Sequence, residues 1–226
     1  MTLILNILHK DMSILAADKR AQAEWSSSPL IYSTAPPSKG QVVNDFNKFT
    51  LNTCGTLALV IAGITKDHSY TLEVERSESI DESLRSIRKH IESFVPIYDR
   101  AVLAKLRSFM PNEGIATFFD QSMGGYFTYQ YLFSPIELRS RLLRGAEEVK
   151  VLYAGSGVKY FEQGEGLADI EKFKSSNKNS YMPCECISWV KDLYKRVSVF
   201  DPEIGDEPDF LVSTRDNHWF SASKHG

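Results

Sequence analysis

Side chains that could support metal or triad chemistry are few and scattered in this sequence of 226 residues. The three cysteines lack the paired spacing of a zinc site, and Cys184 and Cys186 are too close in sequence for an ordinary disulfide bridge. The five histidines are also spread without ligand spacing. Gly155-Ser156-Gly157 does not have the spacing of the Gly-x-Ser-x-Gly nucleophile motif. We therefore expect no metal site and no cofactor.

The polar residues of most interest lie in short motifs that follow one another along the whole chain. In chain order these motifs are Met1-Thr2, Ala16-Ala17-Asp18-Lys19-Arg20-Ala21, Asn47-Lys48-Phe49-Thr50-Leu51, Ala62-Gly63, Gly155-Ser156-Gly157, and Asp201 with Gly205 and Asp209-Phe210-Leu211-Val212. Each motif is weak alone. Their order resembles that of the proteasome β-type subunits, including the HslV-like and Anbu-like bacterial relatives.

The resemblance implies an N-terminal nucleophile hydrolase with the α+β fold class and a four-layer αββα sandwich. It implies a threonine-type peptidase that forms an acyl-enzyme on Thr2 after Met1 is removed. It further implies a peptide or unfolded-protein substrate, self-association into homo-oligomeric rings, and an ATPase unfoldase as a partner that could feed the ring.

Thr2, Lys48 and Asp18 form the nucleophile set that the resemblance implies, and elementary chemistry explains why they belong together. An N-terminal threonine carries both a hydroxyl and an α-amine whose ordinary pKa of about 8 lets it accept the hydroxyl proton near neutral pH. An ammonium held by a carboxylate lowers the proton affinity of both groups. We therefore expect the Lys48 nitrogen to lie within hydrogen-bond reach of Thr2 and Asp18.

Gly63, Ser156 and Asp201 complete the set of site residues that the resemblance implies. The backbone N–H of Gly63 would stabilise the tetrahedral oxyanion. Ser156 and Asp201 would complete the hydrogen bonds around the Thr2 amine. All six residues are expected to converge on one site.

The sequence departs from the family pattern at two places. The family lysine lies closer to the aspartate, whereas Lys48 follows Asp18 by thirty residues. An insertion in the loop from Trp25 to Lys39 would reconcile the spacing, because additional loop length costs little entropy. Lys39 is the alternative lysine. Ile204 stands where the family often has a serine.

Two other functions stay open at this point. One is a catalytically inert proteasome-fold shell or assembly protein, which Ile204, the displaced Lys48 and a retained Met1 would favour, because Met1 acylates the Thr2 amine. The other is a small-molecule amidase of the same fold. A free Thr2 with amide turnover would favour the two enzymes.

The elements that must position these residues alternate between blocks of strands and pairs of helices. Predicted strands are Leu3 to Leu8, Met12 to Ala17, Lys48 to Asn52, Leu57 to Ala62, Ile115 to Phe119, Tyr126 to Phe133, Val149 to Tyr153, Phe210 to Thr214 and His218 to Ser221. Predicted helices are Ile80 to Phe94 after a Ser79–Glu82 capping box, Pro96 to Met110, Gly166 to Lys174 and Pro183 to Phe200. A long loop is predicted from Trp25 to Gly40. This block pattern favours a layered α+β fold in a single domain over residues 1–226.

Charge and hydropathy exclude some partners. A balance of 26 basic against 29 acidic residues gives a net charge of −3, which offers a nucleic-acid backbone no attraction. The longest apolar run has the length of a strand, so we expect no membrane association. The first strand lacks the flanks of a secretory signal, and we expect a cytoplasmic protein.

Overall fold

Two large sheets and a set of helices make up the part of the chain that this computed structural model describes, namely residues 2–23, 41–43, 47–62, 69–94, 112–133, 138–163, 165–176, 181–215 and 218–222. The helices are α1 (Ser69–Arg76), α2 (Ile80–Phe94), α3 (Val158–Glu162), α4 (Glu165–Ser176) and α5 (Pro183–Phe200). The strands are β1 (Leu3–Leu8), β2 (Ser13–Asp18), β3 (Ala21–Ala23), β4 (Gln41–Val43), β5 (Phe49–Leu51), β6 (Leu57–Ala62), β7 (Asn112–Asp120), β8 (Gly125–Phe133), β9 (Leu138–Arg144), β10 (Lys150–Gly155), β11 (Pro208–Ser213) and β12 (Trp219–Ser221).

The strands form two antiparallel five-stranded sheets. The first has the order β10-β1-β2-β11-β12 and the second β5-β6-β7-β8-β9, while β3 and β4 form a separate two-stranded sheet. In the first sheet Leu3 is opposite Gly155 and Ile4 is opposite Ala17. The start of β1 therefore lies between the end of β10 and the end of β2, and this register positions Thr2.

Strand β1 is buried on both faces, which explains its continuous apolar sequence. Leu3 and Leu5 belong to the hydrophobic cluster that joins the first sheet to α3, α4 and α5. Ile4 belongs to the cluster that lies between the two large sheets. A slip of one residue would turn these side chains to the opposite faces, so the register of β1, and with it the position of Thr2, is strongly determined.

A polar network crosses the otherwise apolar interface between the two sheets. Asn6 Nδ2 donates to Ser13 Oγ at 2.8 Å, and Thr128 Oγ1 donates to Asn6 Oδ1 at 2.9 Å. Thr117 Oγ1 lies 3.0 Å from both Ser13 Oγ and Thr128 Oγ1. All four side chains are fully buried. Because these groups satisfy one another, the network joins the sheets without a buried unpaired hydroxyl or amide.

The predicted α+β class and four-layer αββα sandwich of N-terminal nucleophile hydrolases are wrong for this structure. The described residues form a mixed α/β, β-rich arrangement with two large antiparallel sheets and five helices. The prediction inferred the layers from the order of strand and helix blocks, and block order alone does not determine how sheets and helices pack into layers. Helices α1 and α3, strand β9 and the pair β3–β4 were not predicted. The predicted helix from Pro96 to Met110 and the loop from Trp25 to Gly40 lie outside the described residues.

Most of the individual elements are nevertheless confirmed within a few residues, including the β1–β2 hairpin, the β5–β6 pair and α5. The predicted N-cap is also present, because Ser79 Oγ accepts the Glu82 N–H at 3.2 Å, while Glu82 Oε2 accepts the N–H of Glu78, one residue before the cap, at 2.9 Å. Within the described ranges, no helix combines the length and the apolar character needed to cross a membrane.

We expect Thr128→Val to lower the free energy of unfolding by about 1–3 kcal/mol, because the buried Asn6 Oδ1 loses its donor. Thr53→Val is the matched control, since Thr53 is exposed and water can replace its hydroxyl at the Glu75 carbonyl. Thr53→Val should lower the free energy of unfolding by less than about 0.5 kcal/mol. Urea unfolding of the three proteins measures the difference. Equal stability of Thr128→Val and the unmodified chain would show that the network does not stabilise the fold.

Candidate active site

The backbone of Thr2 is held by the turn that follows β10. Its N–H donates to Ser156 Oγ at 2.9 Å. Its carbonyl oxygen accepts the Gly157 N–H at 3.4 Å and the Ser156 hydroxyl at 3.3 Å. Both polar groups of the Thr2 backbone are therefore bound to the same turn, which places the side chain at one end of the first sheet.

The Thr2 hydroxyl contacts a buried ion pair. Lys48 Nζ lies 2.9 Å from Thr2 Oγ1 and 2.9 Å from Asp18 Oδ1. The side chains of Lys48 and Asp18 are only 5% and 0% exposed. Burial lowers the pKa of Lys48, while the charge and the hydrogen bond of Asp18 act in the opposite direction. The structure thus brings together the three residues that were expected to converge.

Backbone donors hold the Asp18 carboxylate in place. Oδ1 also accepts the Leu3 N–H at 3.0 Å, and Oδ2 accepts the Arg20 N–H at 3.2 Å. Asp18 is the last residue of β2, so its side chain reaches back to the neighbouring strand that carries Thr2. These bonds, together with Lys48, satisfy a carboxylate that has no access to water.

Strands β3 and β4 explain how Lys48 returns to Asp18, which it follows by thirty positions in the sequence. Ala21, soon after Asp18, pairs with Val43, shortly before Lys48. The chain leaves the site along β3 and returns along its antiparallel partner β4. The additional residues between Asp18 and Lys48 therefore do not prevent the two side chains from forming an ion pair. The alternative lysine, Lys39, lies outside the described residues.

The turn after β10 requires glycine at two positions. Gly155 has a φ of +92°, and a Cβ there would lie 2.2 Å from the Thr2 carbonyl oxygen. A Cβ at Gly157 would lie 2.9 Å from Cδ1 of both Ile204 and Leu3. Ile204 is fully buried and packs behind the turn. Ile204 therefore makes an apolar contact with this turn, where the sequence resemblance would have placed a serine hydroxyl.

Two residues outside the six predicted from the sequence also hold the site. The Gly155 N–H donates to Oε2 of Glu113, and the buried Tyr194 hydroxyl donates to the Leu3 carbonyl oxygen at 2.8 Å. Burial raises the pKa of Glu113, the Gly155 hydrogen bond lowers it, and the charge of Glu162 raises it again. Burial also raises the pKa of Tyr194, which keeps its hydroxyl protonated as a donor.

The other predicted residues are not all at the site. Asp201 lies at the end of α5, where its Oδ1 accepts the Glu203 N–H at 3.1 Å, and its hydrogen bonds within the described residues do not include Thr2. Gly63 lies outside the described residues. No cluster of three or more potential metal ligands occurs among the residues that the structure places. Of the six predicted residues, the structure brings together four: Thr2, Asp18, Lys48 and Ser156.

We expect Asp18→Ala to lower the free energy of unfolding by about 3–5 kcal/mol, because it leaves the Lys48 ammonium buried without a counter-charge. The double variant Asp18→Ala/Lys48→Met should recover part of that loss. Asp192→Ala, which breaks the exposed pair with Lys195, is the control and should cost less than about 1 kcal/mol. Urea unfolding measures all three, and a double variant no more stable than Asp18→Ala would contradict the buried pairing.

No protein-family model matches this chain, and none of the curated proteins matches it. What the site can do must therefore be inferred from its own geometry and from the motifs in its sequence.

Proposed function

We propose that this chain is a threonine-type peptidase that hydrolyses peptide bonds through an acyl-enzyme on Thr2 once Met1 has been removed. The observation that carries the proposal is the position of Lys48 Nζ, 2.9 Å from both Thr2 Oγ1 and Asp18 Oδ1. The Thr2 hydroxyl contacts the buried amine of Lys48, and the Asp18 carboxylate holds that amine in place. An adjacent base of this kind activates a hydroxyl as a nucleophile.

The sequence pattern assigned the proton of the Thr2 hydroxyl to the α-amine, but the amine in contact with that hydroxyl is Lys48, 2.9 Å away, and we propose that Lys48 moves the proton. Burial lowers its pKa, so its neutral form is reached at a lower pH than for an exposed lysine. The hydroxyl oxygen then attacks the carbonyl carbon of the substrate, and the proton passes to the leaving amine as the peptide bond breaks. Water hydrolyses the resulting ester and regenerates the Thr2 hydroxyl. Ser156, 2.9 Å from Thr2 N, would orient the α-amine that removal of Met1 frees.

A backbone donor for the oxyanion completes the proposed chemistry. Gly63 is the candidate because it follows Ala62, the last residue of β6. Ala62 Cβ lies 3.1 Å from the position that a Cβ on Gly155 would occupy, so β6 ends beside the turn that holds Thr2. A peptide N–H at this end of β6 could stabilise the charge that develops on the substrate oxygen.

The substrate and assembly in this proposal come from the family resemblance. We propose a peptide or unfolded protein as the substrate, a homo-oligomeric ring as the working form, an ATPase unfoldase as the partner and the cytoplasm as the location. The net charge of −3 gives no support to a nucleic-acid partner.

Two observations favour a second candidate, the catalytically inert shell or assembly protein. Asp201 binds the Glu203 N–H instead of joining the bonds around Thr2, and Ile204 supplies an apolar contact where a hydroxyl would help to hold the amine. Such a site could keep its ion pair for stability alone. A small-molecule amidase is distinguished from the peptidase only by its substrate.

Thr2→Ala should lower peptide turnover by at least about 10³-fold, because it removes the nucleophile. Thr2→Ser keeps a hydroxyl and is the matched control, which should retain turnover. Intact mass of each purified protein shows whether Met1 is absent. A wild-type chain that keeps Met1 and cleaves no peptide would favour the inert shell. Undiminished turnover by Thr2→Ala would place the chemistry elsewhere.

Lys48→Met should lower kcat by about 10²- to 10⁴-fold, since the group that transfers the hydroxyl proton is lost. Lys195→Met is the control, because the Lys195 side chain is exposed and its ammonium pairs with Asp192 on its own helix. Circular dichroism checks that both variants remain folded. Equal turnover by the Lys48 variant and its control would show that the buried amine takes no part in the reaction.

A further inference from the structure

We propose that Glu113 is a positioning residue that holds the Gly155–Gly157 turn, and through it Thr2, in the productive arrangement; this inference rests on the proposed function. Glu113 lies on β7 of the second sheet, opposite Ala62 of β6. Gly155 lies at the end of β10 in the first sheet. The bond from the Gly155 N–H to Glu113 Oε2 therefore connects the two sheets at the end that carries Thr2.

The turn transmits this contact to the nucleophile. Gly155 is directly followed by Ser156, whose Oγ accepts the Thr2 N–H at 2.9 Å, and Gly157 donates to the Thr2 carbonyl oxygen at 3.4 Å. The space around Gly155 is tight, because even a Cβ would lie 2.2 Å from that carbonyl oxygen. A shift of Gly155 would therefore shift Thr2 or break its bonds to the turn.

The character of Glu113 fits a holding role. Its side chain is half-buried and opposite a strand end, a costly place for a carboxylate, and burial raises its pKa. The Gly155 N–H, at the last residue of β10, is a backbone donor that needs an acceptor, and Glu113 Oε2 accepts it. The carboxylate supplies this acceptor from the opposite sheet.

A second bond between the sheets provides a matched control. Gln130 Nε2, on β8, donates to the Tyr153 carbonyl oxygen at 3.1 Å, two residues before Gly155 on the same strand. This bond also joins β10 to the second sheet but does not touch the turn that holds Thr2. If Glu113 only helped to hold the two sheets together, Glu113→Ala and Gln130→Ala would change kcat by the same factor.

Steady-state kinetics of Glu113→Ala, Glu113→Gln and Gln130→Ala, each in the full-length processed protein, test the proposal. Glu113→Ala should lower kcat by about 10²-fold with KM within about threefold, because a misplaced nucleophile affects the reaction more than binding. Glu113→Gln retains an oxygen that can accept the Gly155 N–H and should stay within about fivefold of wild type. Gln130→Ala should also stay near the wild-type kcat.

Hydrogen exchange of the 155–157 amides gives a second readout that does not require activity. Exchange should be faster in Glu113→Ala than in wild type or Glu113→Gln. If the wild-type protein cleaves no peptide, the proposed function fails. The exchange rates of the 155–157 amides then decide by themselves whether Glu113 holds the turn. Unchanged exchange and kcat in Glu113→Ala would overturn the proposal. So would an equal loss of kcat in Gln130→Ala or in Glu113→Gln.

Discussion

The buried ion pair between Lys48 and Asp18 is the constraint on which the rest of the site depends. A lysine side chain that is 5% exposed is stable only if a counter-charge is held within contact distance. Two backbone N–H groups fix that counter-charge, and one of them belongs to Leu3, next to Thr2. The strand that presents the Thr2 hydroxyl is therefore tied to the carboxylate that holds the amine.

Thr2 is held from opposite sides by elements that are distant in sequence. Lys48 contacts the Thr2 hydroxyl, and Asp18 accepts the N–H of the next residue, Leu3. The Gly155–Gly157 turn binds both the N–H and the carbonyl oxygen of Thr2. Tyr194 adds a bond from α5 to the Leu3 carbonyl oxygen. The register of β1, which is buried on both faces, keeps these contacts aligned. Together they give the threonine a defined position at the end of the first sheet.

Local patterns in the sequence predicted most strands and the helices α2, α4 and α5, because apolar periodicity and capping residues are local signals. The unpredicted strand β9 contains three arginines, and α1 is short and polar, so tertiary contacts stabilise both elements against a weak local pattern. The roles of Glu113 and Tyr194 could not be predicted, because each depends on how distant elements pack; Tyr194 and Leu3 are 191 residues apart. Asp201 was expected beside Thr2 but binds within its own loop.

Covalent capture of the nucleophile tests the central claim most directly. The processed protein, with Met1 absent by intact mass, is treated with an acylating β-lactone, and the modified residue is mapped by peptide mass spectrometry. If Lys48 and Asp18 activate Thr2, the acyl group is found on Thr2, and Lys48→Met forms the adduct far more slowly. A processed chain that stays unmodified at Thr2, or that is acylated equally fast without Lys48, would contradict this account.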